Sequence, residues 1–212
     1  MIPLLHDFEG EAVLVVGGGP VGARKARSFA REARTVVVSP AFADRDFGDA
    51  ELVRAAPAPG EVADWVDRLD PALVVAATDD DAVNGAAERA AREAGALVNR
   101  ADRSGGRDAG SVVVPATVRD GSVVAAVATG GAAPALSKEL RRRIESEIEG
   151  AGPMADLVAE IRADLKAADV PPTDRREAVR AVVGSSEVWK ALQEGLSNGR
   201  QEADRVMEEI HD

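Results

Sequence analysis

A glycine-rich motif near the N-terminus has the residue types and spacing of a phosphate-binding loop. It reads Gly17-Gly18-Gly19-Pro20-Val21-Gly22, a complete G-x-G-x-x-G that directly follows the Val-rich run Ala12–Val16 and directly precedes a helical pattern. The first glycine of such a motif permits a tight turn, the second lets the backbone approach a pyrophosphate, and the third lets the helix pack against the strand. Pro20 lacks an N–H group, but at the first helical position that donor is unused within the helix. The motif predicts a dinucleotide bound at Gly17, Gly19, Pro20, Val21 and Gly22, with helix N–H groups facing its phosphates.

The end of the second predicted strand bears on which dinucleotide is bound. Ser39 stands where an Asp or Glu usually binds the ribose 2′-hydroxyl of NAD. A serine hydroxyl can hydrogen-bond that group, and it does not repel a 2′-phosphate as a carboxylate would. The nearest arginine that follows along the chain is Arg45, so none comes at once to hold a phosphate. We therefore predict NAD rather than NADP, with Ser39 at the ribose.

A polar run, Thr78-Asp79-Asp80-Asp81, follows the apolar run Ala72–Ala77. In a parallel sheet this is the carboxyl edge, where ligands bind. Thr78 and Asn84 are predicted to line the nicotinamide side, and Asp79 is a further candidate cofactor residue. Asp80 or Asp81 can instead cap the following helix, and capping is expected to explain at least one of the three aspartates.

Charge is distributed unevenly along this acidic chain. The formal net charge is −11, and residues 44–81 contain eleven acids against three arginines, a net of −8. Residues 99–143 contain four acids against eight cations, a net of +4. The cations are Arg100, Arg103, Arg107, Arg119, Lys138, Arg141, Arg142 and Arg143. A cationic stretch in an acidic protein favours an anionic ligand, although Arg141–Arg143 equally fit a solvated helix end.

Composition excludes several classes of function. The chain has no cysteine, which rules out disulfide scaffolds, thiolate zinc sites and cysteine nucleophiles. The net charge argues against general nucleic-acid binding, and the longest apolar runs fall far short of the ~20 residues that span a bilayer. The only histidines, His6 and His211, lie near the termini, which argues against a His-based metal site. The N-terminal residues have no basic region or small-residue cleavage site, so we expect a cytoplasmic protein.

The cations are strongly skewed towards arginine, with 22 Arg against 4 Lys. An acidic, Lys-poor chain suggests a protein that works in high salt, where a dense carboxylate surface keeps it hydrated. A GC-rich genome, which favours Arg, Ala, Gly and Val codons, would give a similar composition. Both explanations stay open, and neither concerns the reaction.

The elements that must position these residues are predicted from periodicity. Residues 12–99 alternate short Val-rich runs with Ala/Arg/Glu-rich helical stretches, which predicts βαβ units and a parallel sheet. The expected strands are Ala12–Val16, Thr35–Ser39, Glu51–Ala55, Ala72–Ala77 and Ala96–Asn99, and the expected helices are Pro20–Glu32, Glu61–Arg68 and Asp80–Ala94. We therefore predict an α/β fold whose N-terminal part, residues 1–110, is a Rossmann-type NAD-binding domain.

The pattern changes after this domain. Two β-rich runs, Ser111–Val118 and Ser122–Ala128, joined by Arg119-Asp120-Gly121, predict an antiparallel hairpin. A helix is predicted over Pro134–Glu149, ended by Gly150 and Gly152-Pro153, so that residues 111–150 form a small α+β region. Residues 151–212 are helical in pattern. The expected helices are Met154–Ala168, Thr173–Val183, Ser186–Leu196 and Gly199–Ile210, with breaks at Pro171-Pro172, Gly184-Ser185 and Ser197-Asn198.

Five ordered blocks of this chain, with matching spacing, resemble the precorrin-2 dehydrogenases, a family that includes the NAD-dependent part of sirohaem synthases. The resemblance runs from the N-terminus to about Glu149. The blocks are Ile2-Pro3-Leu4; Val15–Gly22 with Arg24-Lys25-Ala26; Ala76–Asp80 with Val83-Asn84; Val98–Asp102; and Thr129-Gly130-Gly131 with Pro134. Thr129 replaces the serine of the family's Ser-Gly-Gly and keeps the hydroxyl.

The resemblance implies a reaction, a substrate and a partner. The reaction is oxidation of precorrin-2 to sirohydrochlorin with reduction of NAD⁺, on the route to sirohaem and in some organisms to haem. Several members of the family also insert Fe²⁺ into sirohydrochlorin, so ferrochelatase activity is a further expectation. The family forms a homodimer in which the hairpin and following helix exchange between subunits. Its catalytic aspartate corresponds to Asp102, and Asn99, Thr129 and Gly130 correspond to the edge of its substrate site.

The chemistry of the residues agrees with this assignment. Desaturating a reduced tetrapyrrole moves a hydride to nicotinamide and releases a proton, so a carboxylate near the cofactor is suited to act as the base. Asp102 follows a predicted strand, and a guanidinium of Arg100 or Arg103 would hold its pKa down. A loop aspartate paired with an arginine is the alternative that stays open. Because arginine binds carboxylates with two parallel hydrogen bonds, we expect Arg119 and one or more of Arg100, Arg103 and Arg107 to contact the anionic macrocycle.

Two other functions fit parts of the sequence. A non-enzymatic NAD(H)-sensing Rossmann module would usually keep an acidic residue at the position of Ser39, and a repressor of this kind would need a basic DNA-reading helix that the sequence does not contain. Another small NAD-dependent dehydrogenase would normally show a Tyr-x-x-x-Lys pair or a catalytic His, whereas the chain has no tyrosine. From Met154 onward there is no methyltransferase-like segment, so the large fused sirohaem synthase is not expected.

Overall fold

The structure is a computed structural model of the chain and describes residues 2–103 and 111–211. The chain divides into two compact units, Met1–Val114 and Pro115–Asp212. The hairpin and the later helices fall together in the second unit, so the predicted boundary at residue 150 stays a prediction. Within the described ranges, no helix is both long enough and apolar enough to cross a membrane.

A parallel sheet of five strands forms the centre of the first unit, in the order β3-β2-β1-β4-β5. The strands are β1 Ala12–Val16, β2 Arg34–Ser39, β3 Glu51–Arg54, β4 Leu73–Ala76 and β5 Leu97–Arg100. All five begin and end within one residue of the predicted runs. The predicted α/β fold with a parallel sheet is confirmed.

Helices cover both faces of this sheet because alternate strand residues point to opposite sides. They are α1 Pro20–Phe29, α2 Val62–Leu69 and α3 Asp81–Glu93, with a 3₁₀ turn at Pro59–Glu61. Val13 and Val15 of β1 pack in a cluster with residues of α1. Leu14 and Val16 pack in the cluster that holds residues of α2 and α3. Each of these four side chains is at most 2% exposed, so the middle strand is fully enclosed.

The second unit begins with an antiparallel hairpin, β6 Ala116–Asp120 and β7 Val123–Val127. The turn consists of Gly121 and Ser122, with a positive φ of 54° at Gly121. Arg119 and Asp120, predicted to lie in the turn, are strand residues paired with Val124 and Val123. The strand also begins later than the predicted Ser111, directly after Pro115, which has no N–H group to donate to a ladder.

In the described part of the chain five helices follow the hairpin, and two of the breaks between them differ from prediction. They are α4 Pro134–Glu147, α5 Ala151–Ala167, α6 Pro172–Gly184, α7 Ser186–Glu194 and α8 Leu196–His211. Gly152-Pro153 open α5 rather than ending α4, since proline is tolerated in a first helical turn. The last break falls at Gly195, with φ 134°, and Ser197-Asn198 lie inside α8. Leu157, Ile161 and Val182 belong to the buried core of this unit.

Candidate active site

The strand order places three loops side by side at the carboxyl edge of the sheet. The glycine motif follows β1, Thr78 follows β4, and Asp102 follows β5. Since neighbouring strands lie about 4.8 Å apart, the ends of β1 and β5 are separated by roughly 10 Å, with the β4 loop between them. Ligands of open α/β sheets bind at this edge. The sequence motifs singled out for cofactor and catalysis in the first unit therefore share one edge.

Close packing explains three glycines of the motif. Gly17 has a φ of 120°, and a Cβ there would overlap the carbonyl oxygen of Ala77. A Cβ at Gly22 would overlap the carbonyl oxygen of Gly17, so α1 can approach the turn only at a glycine. Gly18 was missed as a constrained position, but a Cβ there would overlap the Ala41 carbonyl oxygen. Its signal was that a glycine occupies the first variable position of G-x-G-x-x-G, where the motif does not require one.

Gly19 differs from these three, because its surroundings are open. No described atom lies within 4 Å of where its Cβ would be, whereas the backbone around it is closely packed. Among the residues that the structure describes, no side chain caps α1, and its first turn holds no acidic residue. N–H groups at such a helix end favour an anion. The loop therefore fits the pyrophosphate of NAD, held by the Gly17–Gly22 backbone.

Ser39 and its neighbours form the end of β2. The Ser39 side chain is buried, and its Oγ donates a hydrogen bond of 2.7 Å to the Ala41 carbonyl oxygen. Because the hydrogen of this hydroxyl is used in that bond, Ser39 could interact with a ribose only by accepting a hydrogen bond from it. The sequence pointed to Arg45 as the nearest following arginine, but pairing of β2 with β3 brings Arg54 beside Ser39. Arg54 donates to the Pro40 carbonyl oxygen at 3.1 Å.

The loop after β4 is held by one buried amide. Asn84, which is 1% exposed, accepts from the Thr78 backbone N–H at 3.1 Å and donates to the Thr78 carbonyl oxygen at 2.9 Å. The Thr78 hydroxyl lies 2.8 Å from Asn84 Oδ1 and accepts from the Asp80 N–H at 3.1 Å. The Asn84 amide is enclosed and shapes the loop, and its place on the nicotinamide side stays a prediction. Thr78 and the exposed Asp79 stay candidate cofactor residues.

Asp80 is the helix cap among the three aspartates. Its Oδ1 accepts from the backbone N–H groups of Ala82 at 2.8 Å and Val83 at 3.2 Å. We expect Asp80→Ala to lower the free energy of unfolding by about 1 kcal/mol, the usual cost of losing such a cap. Urea denaturation followed by circular dichroism measures this. Asp79→Ala is the control and is expected to leave stability unchanged; an equal loss there would contradict the assignment of the cap.

A network of charged side chains surrounds Asp102 at the end of β5. Arg100 donates from Nε to Asp102 Oδ1 at 2.9 Å and from a terminal nitrogen to Oδ2 at 2.6 Å. The same guanidinium donates to Glu88 at 2.9 Å and to Asp81 at 3.0 Å. The Arg100 side chain is 5% exposed and that of Asp102 is 21% exposed. These hydrogen bonds from Arg100 lower the pKa of Asp102, and the charge of Arg103 adds to the effect.

The side chains of Arg100 and Asn99 are both held by contacts within the first unit. Four hydrogen bonds tie the Arg100 guanidinium to three carboxylates, and its contact with substrate stays a prediction. Asn99 is 4% exposed and its Nδ2 donates to the Val112 carbonyl oxygen at 2.7 Å. Asn99 Oδ1 is buried without a hydrogen-bond partner among the described residues. The predicted lowering of the Asp102 pKa by a neighbouring guanidinium is confirmed.

The remaining predicted substrate residues are spread over the chain. Arg103 is exposed just after Asp102, whereas Arg107 lies outside the described residues. Arg119 is an exposed residue of β6 in the second unit. In the same unit, the Thr129 hydroxyl lies 2.8 Å from that of Ser137 on α4, and Gly130 has a φ of 65°. These five positions stay predictions for substrate binding.

The arginines of α4 have acidic partners on their own helix. Arg142 and Arg143 pair with Glu139 at 3.0 and 2.9 Å, and Arg141 pairs with Glu145 at 3.1 Å. This arrangement supports the interpretation of Arg141–Arg143 as a solvated helix face. Within residues 2–103 and 111–209, no group of three or more His, Cys, Asp and Glu is arranged to hold a metal ion.

Comparison with known proteins adds three findings. Residues 4–116 match a family model described as "Putative NAD(P)-binding". The precorrin-2 dehydrogenase of Methanosarcina barkeri (strain Fusaro / DSM 804) is 30% identical over 209 residues, 95% of this chain and 91% of that protein. The siroheme synthase of Stutzerimonas stutzeri (strain A1501) is 35% identical over 217 residues, 98% of this chain but 43% of that protein. The chain thus spans less than half of the latter relative's length.

A solved structure has the same fold. The structure titled "SirC, precorrin-2 dehydrogenase" superposes with a TM-score of 0.71, covering 99% of this chain and 100% of that chain. Its sequence is 23% identical. The likeness supports the α/β architecture with a helical C-terminal region.

Proposed function

Because the chain belongs to the NAD(P)-binding family of precorrin-2 dehydrogenases, we propose that it oxidises precorrin-2 to sirohydrochlorin with NAD⁺, in the synthesis of sirohaem or haem. One observation supports this most directly. An ionised carboxylate, Asp102, lies at the same sheet edge as a glycine loop that fits a pyrophosphate. A dehydrogenase of this kind needs both a dinucleotide site and a group that accepts a proton.

The residues of the chain divide the work between cofactor and substrate. Bound NAD⁺ supplies the hydride acceptor. The backbone of Gly17–Gly22 holds its pyrophosphate, and Ser39 accepts from the ribose hydroxyl. As precorrin-2 loses two hydrogens, one as hydride and one as a proton, Asp102 takes the proton. Arg100 lowers the pKa of Asp102 below the ordinary aspartate value, which disfavours the protonated form, so the proton that Asp102 takes passes on to water.

The test is anaerobic incubation of the purified chain with precorrin-2 and NAD⁺. We expect the absorbance of sirohydrochlorin to rise together with that of NADH. Omitting NAD⁺ is the control that detects spontaneous oxidation. A chain that binds NAD⁺ but leaves the precorrin-2 spectrum unchanged would overturn the proposal.

Substrate binding by arginine gives a second expected result. Replacing Arg103, Arg107 and Arg119 together with alanine is expected to raise KM for precorrin-2 at least about tenfold, because guanidinium groups bind carboxylates with paired hydrogen bonds. The triple replacement of Arg141–Arg143 is the matched control, since it removes the same charge from side chains paired on α4. Equal increases of KM in both variants would mean that only overall charge matters.

The proposal includes a homodimer. The helix α4 has no buried residue, and its Leu136 is 50% exposed. Every residue of β7 is at least partly exposed. A second copy of the chain would cover these apolar side chains. Light scattering coupled to size exclusion measures the mass, and a monomer at assay concentration would contradict this part of the proposal.

Iron, salt and location complete the proposal. Fe²⁺ is proposed as a second substrate. The test is to add Fe²⁺ once sirohydrochlorin has formed and to follow the spectrum of the sirohydrochlorin.

The composition, with 22 Arg against 4 Lys and a net charge of −11, supports a protein suited to high salt. Activity measured across a series of salt concentrations tests this. A cytoplasmic location is the remaining prediction.

A further inference from the structure

A buried ion pair lies behind the proposed catalytic carboxylate. We propose that Arg100 and Glu88 are positioning residues: Glu88 fixes the Arg100 guanidinium, and Arg100 fixes the orientation and charge of Asp102. This inference rests on the proposed function, because it assigns a task to residues that act through Asp102. Neither the proposed cofactor site nor the proposed substrate contacts give Arg100 and Glu88 a function.

The contact between Arg100 and Asp102 fixes a direction as well as a charge. Nε and one terminal nitrogen of Arg100 donate to the two different oxygens of Asp102, at 2.9 and 2.6 Å. Paired donors in one plane define the plane of the carboxylate, which a single hydrogen bond does not. The two residues are separated by one position, so the backbone after β5 adds little freedom. The oxygens of Asp102 are thus held at one angle at the edge of the sheet.

Glu88 holds the other side of the guanidinium. It lies on α3, its side chain is 11% exposed, and it accepts from Arg100 at 2.9 Å. A second arginine, Arg92, pairs with the other Glu88 oxygen at 2.7 Å, so the carboxylate of Glu88 is itself fixed at both oxygens. The chain of contacts runs from α3 through β5 to Asp102. Because α3 packs on the sheet, this chain ties the carboxylate to the rigid part of the unit.

A merely structural ion pair is the alternative, and energetics argues against stability as its main effect. Burying an ion pair removes both charges from water, and replacing such a pair by neutral groups is often harmless to stability. Because Arg100 contacts Asp102 directly, its loss shifts the Asp102 pKa in either case. A pair that acts only on the fold would leave kcat at the pH plateau unchanged once folding is preserved. A positioning pair would change kcat, and the two cases therefore differ in a measurable quantity.

The charges facing Asp102 determine the sign of the effect. Arg100 and Arg103 favour its ionised form, while Asp81 and Glu88 of α3, held by Arg100 and Arg92, are the acidic groups of the network. Removing Arg100 together with the charge of Glu88 takes away the contact that most strongly favours the ionised form of Asp102. The Asp102 pKa then rises towards the ordinary aspartate range. Activity that needs ionised Asp102 is lost at a higher pH than in the unaltered protein.

The double variant Arg100→Gln with Glu88→Gln is the principal test, because it removes both charges of the buried pair, whereas either single change leaves one charge of the pair without the other. We expect it to fold and to bind NAD⁺ with unchanged affinity. We expect kcat for precorrin-2 to fall at least about tenfold with little change of KM, since a misplaced catalytic group lowers the rate more than binding. The acid limb of the pH–rate profile is expected to move to higher pH.

Two further variants keep the result interpretable. Arg34→Gln with Glu51→Gln removes an exposed pair of the same chemistry from the same unit, joined at 3.5 Å, and is expected to leave kcat and the pH profile unchanged. Arg100→Lys retains the charge without the paired donors. It is expected to restore most of the pH profile but little of kcat, which separates charge from orientation.

A readout without turnover separates this inference from the proposed function. The Asp102 carboxyl carbon can be titrated by ¹³C NMR, assigned through its loss in Asp102→Asn. If the unaltered chain does not oxidise precorrin-2, the proposed function fails, while a raised Asp102 pKa in the double variant would still support the charge effect of the pair. If the chain is active and the folded double variant keeps its kcat at the pH plateau, the inference is overturned.

Discussion

Replacing Asp102 with asparagine is expected to lower kcat for precorrin-2 by about 100-fold or more while NAD⁺ affinity stays unchanged. General base catalysis by a positioned side chain raises the rate by roughly 10²–10⁴-fold. The asparagine side chain cannot take up a proton near neutral pH, so this contribution to the rate is lost. Its side chain keeps the size of aspartate and one acceptor for Arg100. Steady-state kinetics with precorrin-2 and binding of NAD⁺ by fluorescence or calorimetry measure the two effects.

The pH dependence gives an independent check on the same residue. The pKa of Asp102 is lowered chiefly by hydrogen bonds from Arg100, so the carboxylate stays ionised below the usual aspartate range. Activity of the unaltered chain should therefore persist to a pH below the usual aspartate pKa, and it should fall only as Asp102 becomes protonated. Asp67→Asn, which changes an exposed aspartate of α2, is the control for the loss of charge. An Asp102→Asn variant with near-normal kcat would remove Asp102 from the mechanism.

The sequence predicts the sheet well because each of its strands is defined by local composition. Val-rich runs that are apolar on both faces form parallel strands covered on both sides, and β1 and β2 follow this rule closely. The hairpin was predicted less well, since the start of β6 depends on where its partner strand ends and on Pro115. The break at Gly195 was missed because Ser197-Asn198 resemble a turn in composition, although the positive φ falls two residues earlier.

The charged network behind Asp102 could be predicted only in part. Local spacing suffices to pair Arg100 with Asp102, since they are two residues apart. Glu88 is 12 residues from Arg100 in the chain, and its approach depends on how α3 packs against β5. A signal was present nonetheless: Val83, Ala87 and Ala91 mark the buried face of α3, and Glu88 lies beside them on that face. A carboxylate on an apolar helix face implies a buried cation.

The surroundings of the glycine motif explain why one substitution in it should lower stability and another should weaken NAD⁺ binding. Gly22→Ala is expected to lower the free energy of unfolding by about 1–3 kcal/mol, because a Cβ would overlap the backbone oxygen of Gly17 and α1 would have to shift. Gly19→Ala should keep normal stability, since its Cβ meets no described atom within 4 Å. The same open space admits the pyrophosphate, so the added methyl group is expected to weaken NAD⁺ binding at least about tenfold.

A third glycine provides the matched control for this pair. Gly60, in the 3₁₀ turn before α2, also has no described atom within 4 Å of its Cβ position. Gly60→Ala should therefore leave both stability and NAD⁺ affinity unchanged, as measured by urea denaturation and calorimetry. If Gly19→Ala behaves like Gly60→Ala, the open space at Gly19 does not receive the cofactor. If Gly19→Ala loses stability like Gly22→Ala, weaker NAD⁺ binding would be explained by damage to the fold alone. Only lost affinity at full stability assigns Gly19 to the cofactor itself.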